Sequence, residues 1–156
     1  MNLTTRLILL TDEPFLWEML YQALYVPEGQ SPFPRDVIQQ PEISQYVRNW
    51  GQPGDLGLIA CDEETPIGAV WVRRIRAYGF VDDNIPEVSI AILANYRGQG
   101  IGTKLMTELF VLLQGRYTAL SLSVSKENPA LWLYQRLGFV ATRTEGDSVT
   151  MKRMLG

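Results

Sequence analysis

The sequence predicts a mixed α/β protein that forms a single domain over residues 1–156. The chain is 46% hydrophobic and 20% charged, which supplies enough apolar side chains for one core and argues against disorder. Helical and strand periodicities alternate along the chain, and no repeat, linker or low-complexity segment separates them. The predicted element order is β-α-α-β-β-β-α-β-α-β-β, with seven strands and four helices.

The first third of the chain predicts one strand and two helices. A first strand is predicted over residues 3–10, and 12–25 carry apolar residues at helical spacing. Prolines and a glycine interrupt any regular pattern over 26–41. A second helix is predicted over 41–50, and Gly51 ends it. The apolar stripe of this helix consists of Ile43, Tyr46, Val47 and Trp50.

Three strands follow in the middle of the chain. They are predicted at 56–61, 66–76 and 86–93, with polar turns at 62–65 and 82–84 between them. Consecutive strands that are joined by short polar connections favour an antiparallel meander.

The last third alternates helices and strands. A helix is predicted over 101–114 and a strand over 117–124, and a second helix over 129–137 follows. Two strands at 139–143 and 148–153 complete the chain.

Composition excludes several catalytic classes. The chain contains no histidine, so a Ser-His-Asp or Cys-His hydrolase and a histidine-ligated zinc site are ruled out. Proton transfer must use carboxylates, tyrosine, lysine, cysteine, a terminus or water. The single cysteine, Cys61, cannot form an internal disulfide.

Charge and hydropathy indicate the surroundings of the protein. A net charge of −3 gives no electrostatic reason to expect nucleic acid as a partner. The N-terminal residues 1–7 lack the pattern of a signal peptide, and no apolar run is long enough to span a bilayer. We therefore expect a cytoplasmic protein with no membrane partner, and the sequence leaves open whether it forms a homodimer.

The most informative segment is a glycine-rich turn between a strand and a helix. Residues 95–104 run N-Y-R-G-Q-G-I-G-T-K, with alternating glycines at 98, 100 and 102. Glycine lets a backbone approach a ligand closely, and amides at a helix N-terminus attract phosphate groups. The turn therefore predicts a site for a diphosphate.

Two common phosphate-binding motifs do not fit this turn. A P-loop has the pattern G-x-x-x-x-G-K-[ST], in which a lysine follows the second glycine and precedes a serine or threonine. Here Lys104 follows Thr103 and precedes Leu105, so the pattern does not fit. A dinucleotide fingerprint requires G-x-G-x-x-G and an acidic residue about 20 positions later. The glycines here run G-x-G-x-G, and 117–123 contains no acidic residue.

The turn instead resembles the coenzyme A loop of the GCN5-related N-acetyltransferase (GNAT) family. Its R-x-x-G-x-G pattern is carried by Arg97, Gly100 and Gly102. Residues 128–139, N-P-A-L-W-L-Y-Q-R-L-G-F, are similar to the family pattern N-x-x-A-x-x-x-Y-x-x-x-G-F with the alanine displaced by one. The resemblance covers about 85–143, and the proline that often precedes the arginine in the family is absent.

This resemblance implies an acyl-CoA N-acyltransferase fold, in which four helices flank a mixed, mostly antiparallel sheet. It also implies acetyl-CoA as the acyl donor and no metal. Turn amides would hold the diphosphate, free backbone groups of the preceding strand would pair with the pantetheine arm, and an asparagine would add a hydrogen bond. The implied cofactor-binding residues are Ile90, Ile92, Leu93, Arg97, Gly98, Gln99, Gly100, Ile101, Gly102, Thr103 and Asn128.

Several of these residues also have a simpler structural interpretation. Asn128 before Pro129 is expected as a helix N-cap, and this role is compatible with cofactor binding if different atoms serve the two. Tyr134 is expected to be either a core aromatic residue or the general acid that protonates the leaving thiolate. Glu87 is expected to be either a solvated charge at a strand end or the base that deprotonates the amine, directly or through water.

The expected reaction is acetyl transfer to a primary amine of a small molecule or peptide in a ternary complex. The alternative is a non-catalytic acyl-CoA-binding module of the same fold. The acceptor pocket is expected to involve the first two helices and the loops 26–41 and 77–86, where Asp82 and Asp83 could attract a cation. The aromatic residues in these segments are Trp17, Tyr21, Tyr25, Phe33, Trp50, Tyr78 and Phe80.

Overall fold

The structure, a computed structural model, describes residues 1–156 and contains the predicted elements in the predicted order. The strands are β1 (Leu3–Leu7), β2 (Leu56–Asp62), β3 (Thr65–Arg73), β4 (Glu87–Ile92), β5 (Ala119–Ser125), β6 (Val140–Glu145) and β7 (Ser148–Met154). The helices are α1 (Glu13–Ala23), α2 (Pro41–Ser44), α3 (Ile101–Leu113) and α4 (Ala130–Arg136). No helix combines the length and apolar character needed to cross a membrane.

All seven strands form one sheet in the order β1-β2-β3-β4-β5-β7-β6. Every neighbouring pair is antiparallel except β4 and β5, which run parallel. The predicted mixed sheet and its antiparallel meander are therefore confirmed. The parallel pair needs a long crossover, which α3 supplies by packing back across the sheet.

Two apolar clusters hold the layers together, one on each face of the sheet. On one face, Leu105 and Leu109 of α3 are fully buried, and this helix packs against β2, β3 and β4. On the other face, Leu16 and Met19 of α1 pack with Trp71 of β3. Full burial of each such side chain contributes roughly 1.5–3 kcal/mol.

The first predicted strand is too long by three residues. The chain leaves β1 at Leu7 and enters a short 3-10 turn at Leu10–Asp12. The Asp12 carboxylate causes this bend, because it accepts the Leu9 amide at 2.7 Å and pairs with the Arg6 guanidinium at 2.8 Å. Local capping by a side chain therefore prevails over the apolar strand pattern.

The second helix is also shorter than the predicted 41–50, although its apolar stripe is buried as expected. Only its first turn, α2, is α-helical. The buried guanidinium of Arg73 donates hydrogen bonds to the carbonyl oxygens of Gln45 at 3.0 Å and Arg48 at 2.6 Å. Turn hydrogen bonds, such as that from the Arg48 N–H to the Ser44 carbonyl at 2.8 Å, act together with the Arg73 side chain to keep the segment folded, and it still buries Trp50.

Candidate functional site

The site begins where the two parallel strands separate. β4 and β5 form a single ladder pair, Glu87 with Ser121, and then diverge. The divergence opens a cavity of about 730 Å³ between the end of α1 and its following loop, β4, the start of α3, and α4. A gap between strands exposes backbone groups that a continuous sheet would pair internally.

The hydrogen bonds between β4 and β3 show which backbone groups of β4 face β3 and which face the gap. Leu93 N–H donates to Ile67 on β3 at 2.8 Å, so alternate residues before it also face β3. The remaining residues, Ile90 and Ile92, direct their N–H and C=O groups toward the gap. Both residues line the cavity, as the predicted pairing with a ligand requires.

Leu93 differs from these two residues, because its backbone groups are already bonded within the protein. Its N–H is bonded to Ile67, and its C=O accepts the Tyr96 amide at 2.9 Å. Leu93 therefore has no free backbone group to offer a ligand.

The glycine-rich turn forms a cradle of unpaired amides. Gly98 and Gly100 adopt φ values of +76° and +81°, a region that other residues rarely occupy, and α3 begins directly after Gly100. None of the six consecutive backbone N–H groups from Gly98 to Thr103 donates to an acceptor in the protein. Such a run at the positive end of a 13-residue helix is a strong potential anion site.

Arg97 fixes this cradle rather than contributing its own amide. Its N–H already donates to Ala94 at 3.3 Å, so the predicted set of free amides starts one residue later. Its Nε donates to the Ile92 carbonyl at 2.9 Å, and Nη2 reaches Gln22 Oε1 at 3.3 Å. The guanidinium therefore ties the turn to the end of β4 and to α1.

Asn128 serves as a cap with one end of its side chain. Its Oδ1 accepts the Ala130 amide at 2.9 Å at the start of α4, as the N-cap interpretation predicts. Its Nδ2 donates to no protein group, and the residue lines the cavity. The amide nitrogen thus remains free for a second partner.

Tyr134 lies on the cavity wall and also contacts the core. Its ring packs edge-on against Phe139 with centroids 5.9 Å apart. Its hydroxyl has no hydrogen-bond partner in the protein, and burial raises the pKa of Tyr134 to about 12. The hydroxyl therefore stays protonated across the range in which enzymes work.

Glu87 is not the solvated strand-end charge that was one of its two expected roles, since it is only 1% exposed. Its carboxylate accepts the amides of Ala77 and Gly79, both at 2.8 Å, and the Tyr46 hydroxyl at 3.1 Å. Burial raises the pKa of Glu87, while these three hydrogen bonds oppose the shift. Glu87 does not line the cavity, so it anchors the loop between β3 and β4 beside the point of divergence.

The wall opposite α4 consists of side chains from α1 and the loop after it. Tyr21, Tyr25 and Phe33 line the cavity, and Tyr25 donates to the Glu127 carbonyl at 3.1 Å across its mouth. The other aromatic residues predicted for this pocket do not line it, and Trp50 is buried in the core.

The acidic loop residues do not reach the cavity either. Asp83 pairs with Arg76 at 2.7 Å, and Asp82 accepts the Asn84 amide at 2.8 Å. Sequence reasoning also missed Arg35 and Gln22, which do line it. Gln22 lies in the last turn of α1, and no sequence pattern marks Arg35, because its position depends on how the segment after α1 folds back onto this helix.

Comparison with known proteins identifies the family. Residues 15–139 match the model of the acetyltransferase (GNAT) family. No curated protein matches the chain.

Several solved structures share the fold at low sequence identity. PaiA N-acetyltransferase from Thermoplasma acidophilum, in complex with coenzyme A, is 19% identical, with a TM-score of 0.72 and 99% of each chain covered. YncA from Salmonella typhimurium, with its cofactor acetyl-CoA, is 17% identical, with a TM-score of 0.73 and 100% and 95% covered. The ribosomal-protein-S18-alanine N-acetyltransferase from Escherichia coli is 20% identical, with a TM-score of 0.70 and 99% and 94% covered. The match to the family model spans most of the chain, and the chain therefore belongs to the GNAT family of acetyltransferases.

Proposed function

We propose that residues 1–156 form one catalytic domain that transfers an acetyl group from acetyl-CoA to a primary amine. The observation that carries this proposal is the run of six unpaired amides, Gly98 to Thr103, directly beside the gap between β4 and β5. A diphosphate satisfies such amides, and an extended amide-containing arm satisfies the free edge of β4. Coenzyme A carries both groups in one molecule.

Each part of the donor then has a partner in the chain. The amides of Gly98 to Thr103 bind the diphosphate, and the pantetheine arm pairs with the backbone groups of Ile90 and with the N–H of Ile92, whose carbonyl already accepts Arg97 Nε. The Nδ2 of Asn128 donates to a pantetheine carbonyl. Arg97 positions the turn and the end of β4 relative to each other.

The reaction proceeds by direct attack in a ternary complex. The neutral amine adds to the thioester carbonyl, and an N–H of β4 that faces the gap stabilises the oxyanion. The C–S bond breaks, the Tyr134 hydroxyl donates a hydrogen bond to the departing sulfur, and the sulfur finally takes up a proton from water. The products are an N-acetylated amine and free coenzyme A, and most of the acceleration comes from holding two substrates together.

The pKa of Tyr134 limits how this proton moves. A hydroxyl with a pKa of about 12 is a weaker acid than an ordinary thiol, whose pKa is near 8.5. Complete transfer to a free thiolate would cost about 5 kcal/mol at 1.36 kcal/mol per pKa unit. Tyr134 therefore acts through a hydrogen bond that strengthens as charge develops on sulfur, before the thiolate is fully formed.

The amine proton leaves through water. Glu87 is buried, and both of its oxygens already accept hydrogen bonds, so direct contact with the amine would require its loop to move. Glu87 therefore acts as a positioning residue that holds the loop over residues 77–79 in place.

A coupled binding and turnover experiment tests this function. Thermal unfolding is recorded with acetyl-CoA, ATP or NAD, and free thiol release is followed over a panel of primary amines. A ligand at 100 times its Kd stabilises a protein by about 2.7 kcal/mol, which should be seen with acetyl-CoA alone. Stabilisation without thiol release would favour the non-catalytic acyl-CoA-binding module, and stabilisation by ATP or NAD alone would refute the proposal.

A further inference from the structure

The charges that line the cavity differ in sign from the chain as a whole. The chain has 17 acidic and 14 basic residues, yet no aspartate or glutamate lines the cavity, whereas Arg35 and Arg97 do. Asp82 and Asp83, which were expected to attract a cationic acceptor, lie elsewhere on the molecule. The cavity lining therefore offers no carboxylate that would pair with a polyamine or a second ammonium group.

Arg35 is held in a defined orientation although its side chain is 65% exposed. Its Nη1 contacts Glu18 at 2.5 Å, and its guanidinium carbon lies 4.3 Å from the centre of the Tyr21 ring. The Tyr21 hydroxyl in turn donates to the Phe33 carbonyl at 2.5 Å, which fixes the loop that carries Arg35. A guanidinium stacked on an aromatic face and anchored on one side is well placed to bind a planar oxyanion on the other.

The ion pair with Glu18 does not occupy the whole guanidinium. Nη2 and Nε of Arg35 have no protein partner, so a two-pronged contact remains available. Glu18 is itself satisfied by Arg35 and by Gln22 Nε2 at 2.7 Å, and Gln22 also contacts Arg97. Arg35 and Arg97 together therefore carry two positive charges beside the single negative charge of Glu18, which leaves this region net positive.

We propose that Arg35 determines acceptor specificity by binding a carboxylate of the acceptor, whose apolar or aromatic body lies against Tyr21, Tyr25 and Phe33. The acceptor class is thus an aromatic amino acid or a similar amine that carries a carboxylate. This inference rests on the proposed acetyl transfer. In that reaction the amine nitrogen forms the new bond to the acetyl carbon, the C–S bond breaks, one amine proton passes to water and the sulfur receives a proton, while the carboxylate is unchanged.

A phosphate of coenzyme A is the other oxyanion that this guanidinium could bind. The experiment therefore varies the acceptor and the donor separately. Phenylalanine, tyrosine and tryptophan are compared with phenethylamine, tyramine and tryptamine, which lack only the carboxylate. Acetyl-CoA is compared with acetyl-3′-dephospho-CoA for each protein.

Arg35→Gln is the test variant, and Arg76→Gln is its control, because Arg76 also forms an exposed ion pair at 2.7 Å but lies outside the cavity. We expect Arg35→Gln to lower kcat/KM for the amino acids at least about tenfold and for the decarboxylated amines less than about twofold, since two charge-assisted hydrogen bonds are lost only with the carboxylate. Arg35→Lys should recover part of the loss, and Arg76→Gln should change neither class. Comparing each variant with wild type on the same acceptor cancels the differences in amine basicity.

Four outcomes would overturn the inference. The first is that Arg35→Gln lowers kcat/KM equally for both acceptor classes. The second is that Arg35→Gln raises the KM for acetyl-CoA, but not the KM for the dephosphorylated donor. The third is thiol release by the decarboxylated amines alone, which would leave acetyl transfer intact while refuting carboxylate recognition. Binding of the amino acids is also measured calorimetrically with coenzyme A present, and absence of both binding and turnover would refute the inference even if acetyl-CoA binds.

Discussion

The two long walls of the cavity present different kinds of chemical groups to a ligand. The wall at the start of α3 offers backbone amides, from Gly98 to Thr103, together with the free backbone edge of β4. The wall at the end of α1 offers side chains, chiefly Tyr21, Tyr25, Phe33 and Arg35. One wall is therefore defined by the path of the chain, and the other by the identity of single residues.

This difference has a consequence for how each wall responds to mutation. Most side-chain changes at 98–103 leave the amides in place, so function there is lost through a change of charge or of backbone conformation. A change at Tyr21 or Arg35 removes the recognising group itself. The donor side should thus tolerate conservative substitution, and the acceptor side should change specificity with one residue.

The largest expected effect comes from placing a negative charge in the amide cradle with Gly102→Asp. A Cβ at Gly102 meets only Ile90 and Leu133 at ordinary contact distance, 3.8 Å, and an acidic residue in the first turn of a helix is favourable. We therefore expect a normal Tm but a loss of acetyl-CoA affinity of at least about 100-fold, since like charges about 4 Å apart repel by about 4 kcal/mol near a protein surface. Calorimetric titration measures the loss, and Gly102→Ala, which should bind nearly normally, is the control.

Removal of the Tyr134 hydroxyl should have the next largest effect. Tyr134→Phe keeps the packing against Phe139 and removes only the donor to sulfur, so we expect kcat to fall about 100-fold, the lower end for general acids. Because the pKa is raised to about 12, the acid form persists as the pH rises, and the wild-type rate should increase with amine deprotonation without declining up to pH about 10. Tyr117→Phe, which removes a hydroxyl bonded to the Gly54 carbonyl, is the control. Unchanged turnover in Tyr134→Phe would exclude this role.

Glu87 provides a test of whether the acceptor side also contributes a base. In Glu87→Gln, an NH2 group replaces one of the two oxygens that accept the amides of Ala77 and Gly79, so one of these hydrogen bonds is lost, and we expect a loss of about 1–3 kcal/mol in the free energy of unfolding at neutral pH. Since burial raises the pKa of Glu87, its contribution to stability is complete below the unfolded pKa of about 4.3 and declines as the pH rises through the folded value.

Urea unfolding at pH 4 and pH 7 measures this dependence. Wild type should lose stability between the two values relative to Glu87→Gln. A positioning role also predicts that the variant keeps the shape of the wild-type pH–rate profile. A profile that becomes flat, with kcat reduced by several orders of magnitude, would instead identify Glu87 as the base.

The same contrast between backbone and side chains explains how far the sequence could be interpreted. The order of elements, the sheet and the glycine turn follow local rules of periodicity and backbone conformation, so they could be predicted. Hydrogen bonds between distant segments could not, and they account for the Leu93 N–H that is bonded to Ile67 and for the Arg73 contacts at the end of α2. Arg35 lies in an irregular segment, where no periodicity indicates which side chains reach the cavity.

Backbone strain in the turn gives a smaller effect with a closely matched control. Gly100 and Gly115 have φ values of +81° and +80°, and an added Cβ would meet nothing within 4 Å at either position. Alanine at each should cost roughly 1–2 kcal/mol, which lowers Tm by about 2–8 °C for a chain of this size. Only Gly100→Ala should also weaken acetyl-CoA binding, by about fivefold, because Gly115 lies at the opposite end of α3. Equal weakening in both variants would show that general destabilisation, and not the cradle, controls affinity.

The smallest expected effect separates the two ends of the Asn128 side chain. Serine caps helices about as well as asparagine, so Asn128→Ser should keep the bond to the Ala130 amide and change Tm little, whereas Asn128→Ala should lose about 1 kcal/mol. Both variants lose the free Nδ2 donor, and one neutral hydrogen bond contributes about 0.5–1.5 kcal/mol, so the KM for acetyl-CoA should rise about 2- to 12-fold in each. Steady-state kinetics beside thermal unfolding distinguish the two roles. If KM rises in the alanine variant alone, Asn128 acts only as a cap, and the donor is held by backbone groups without help from this side chain.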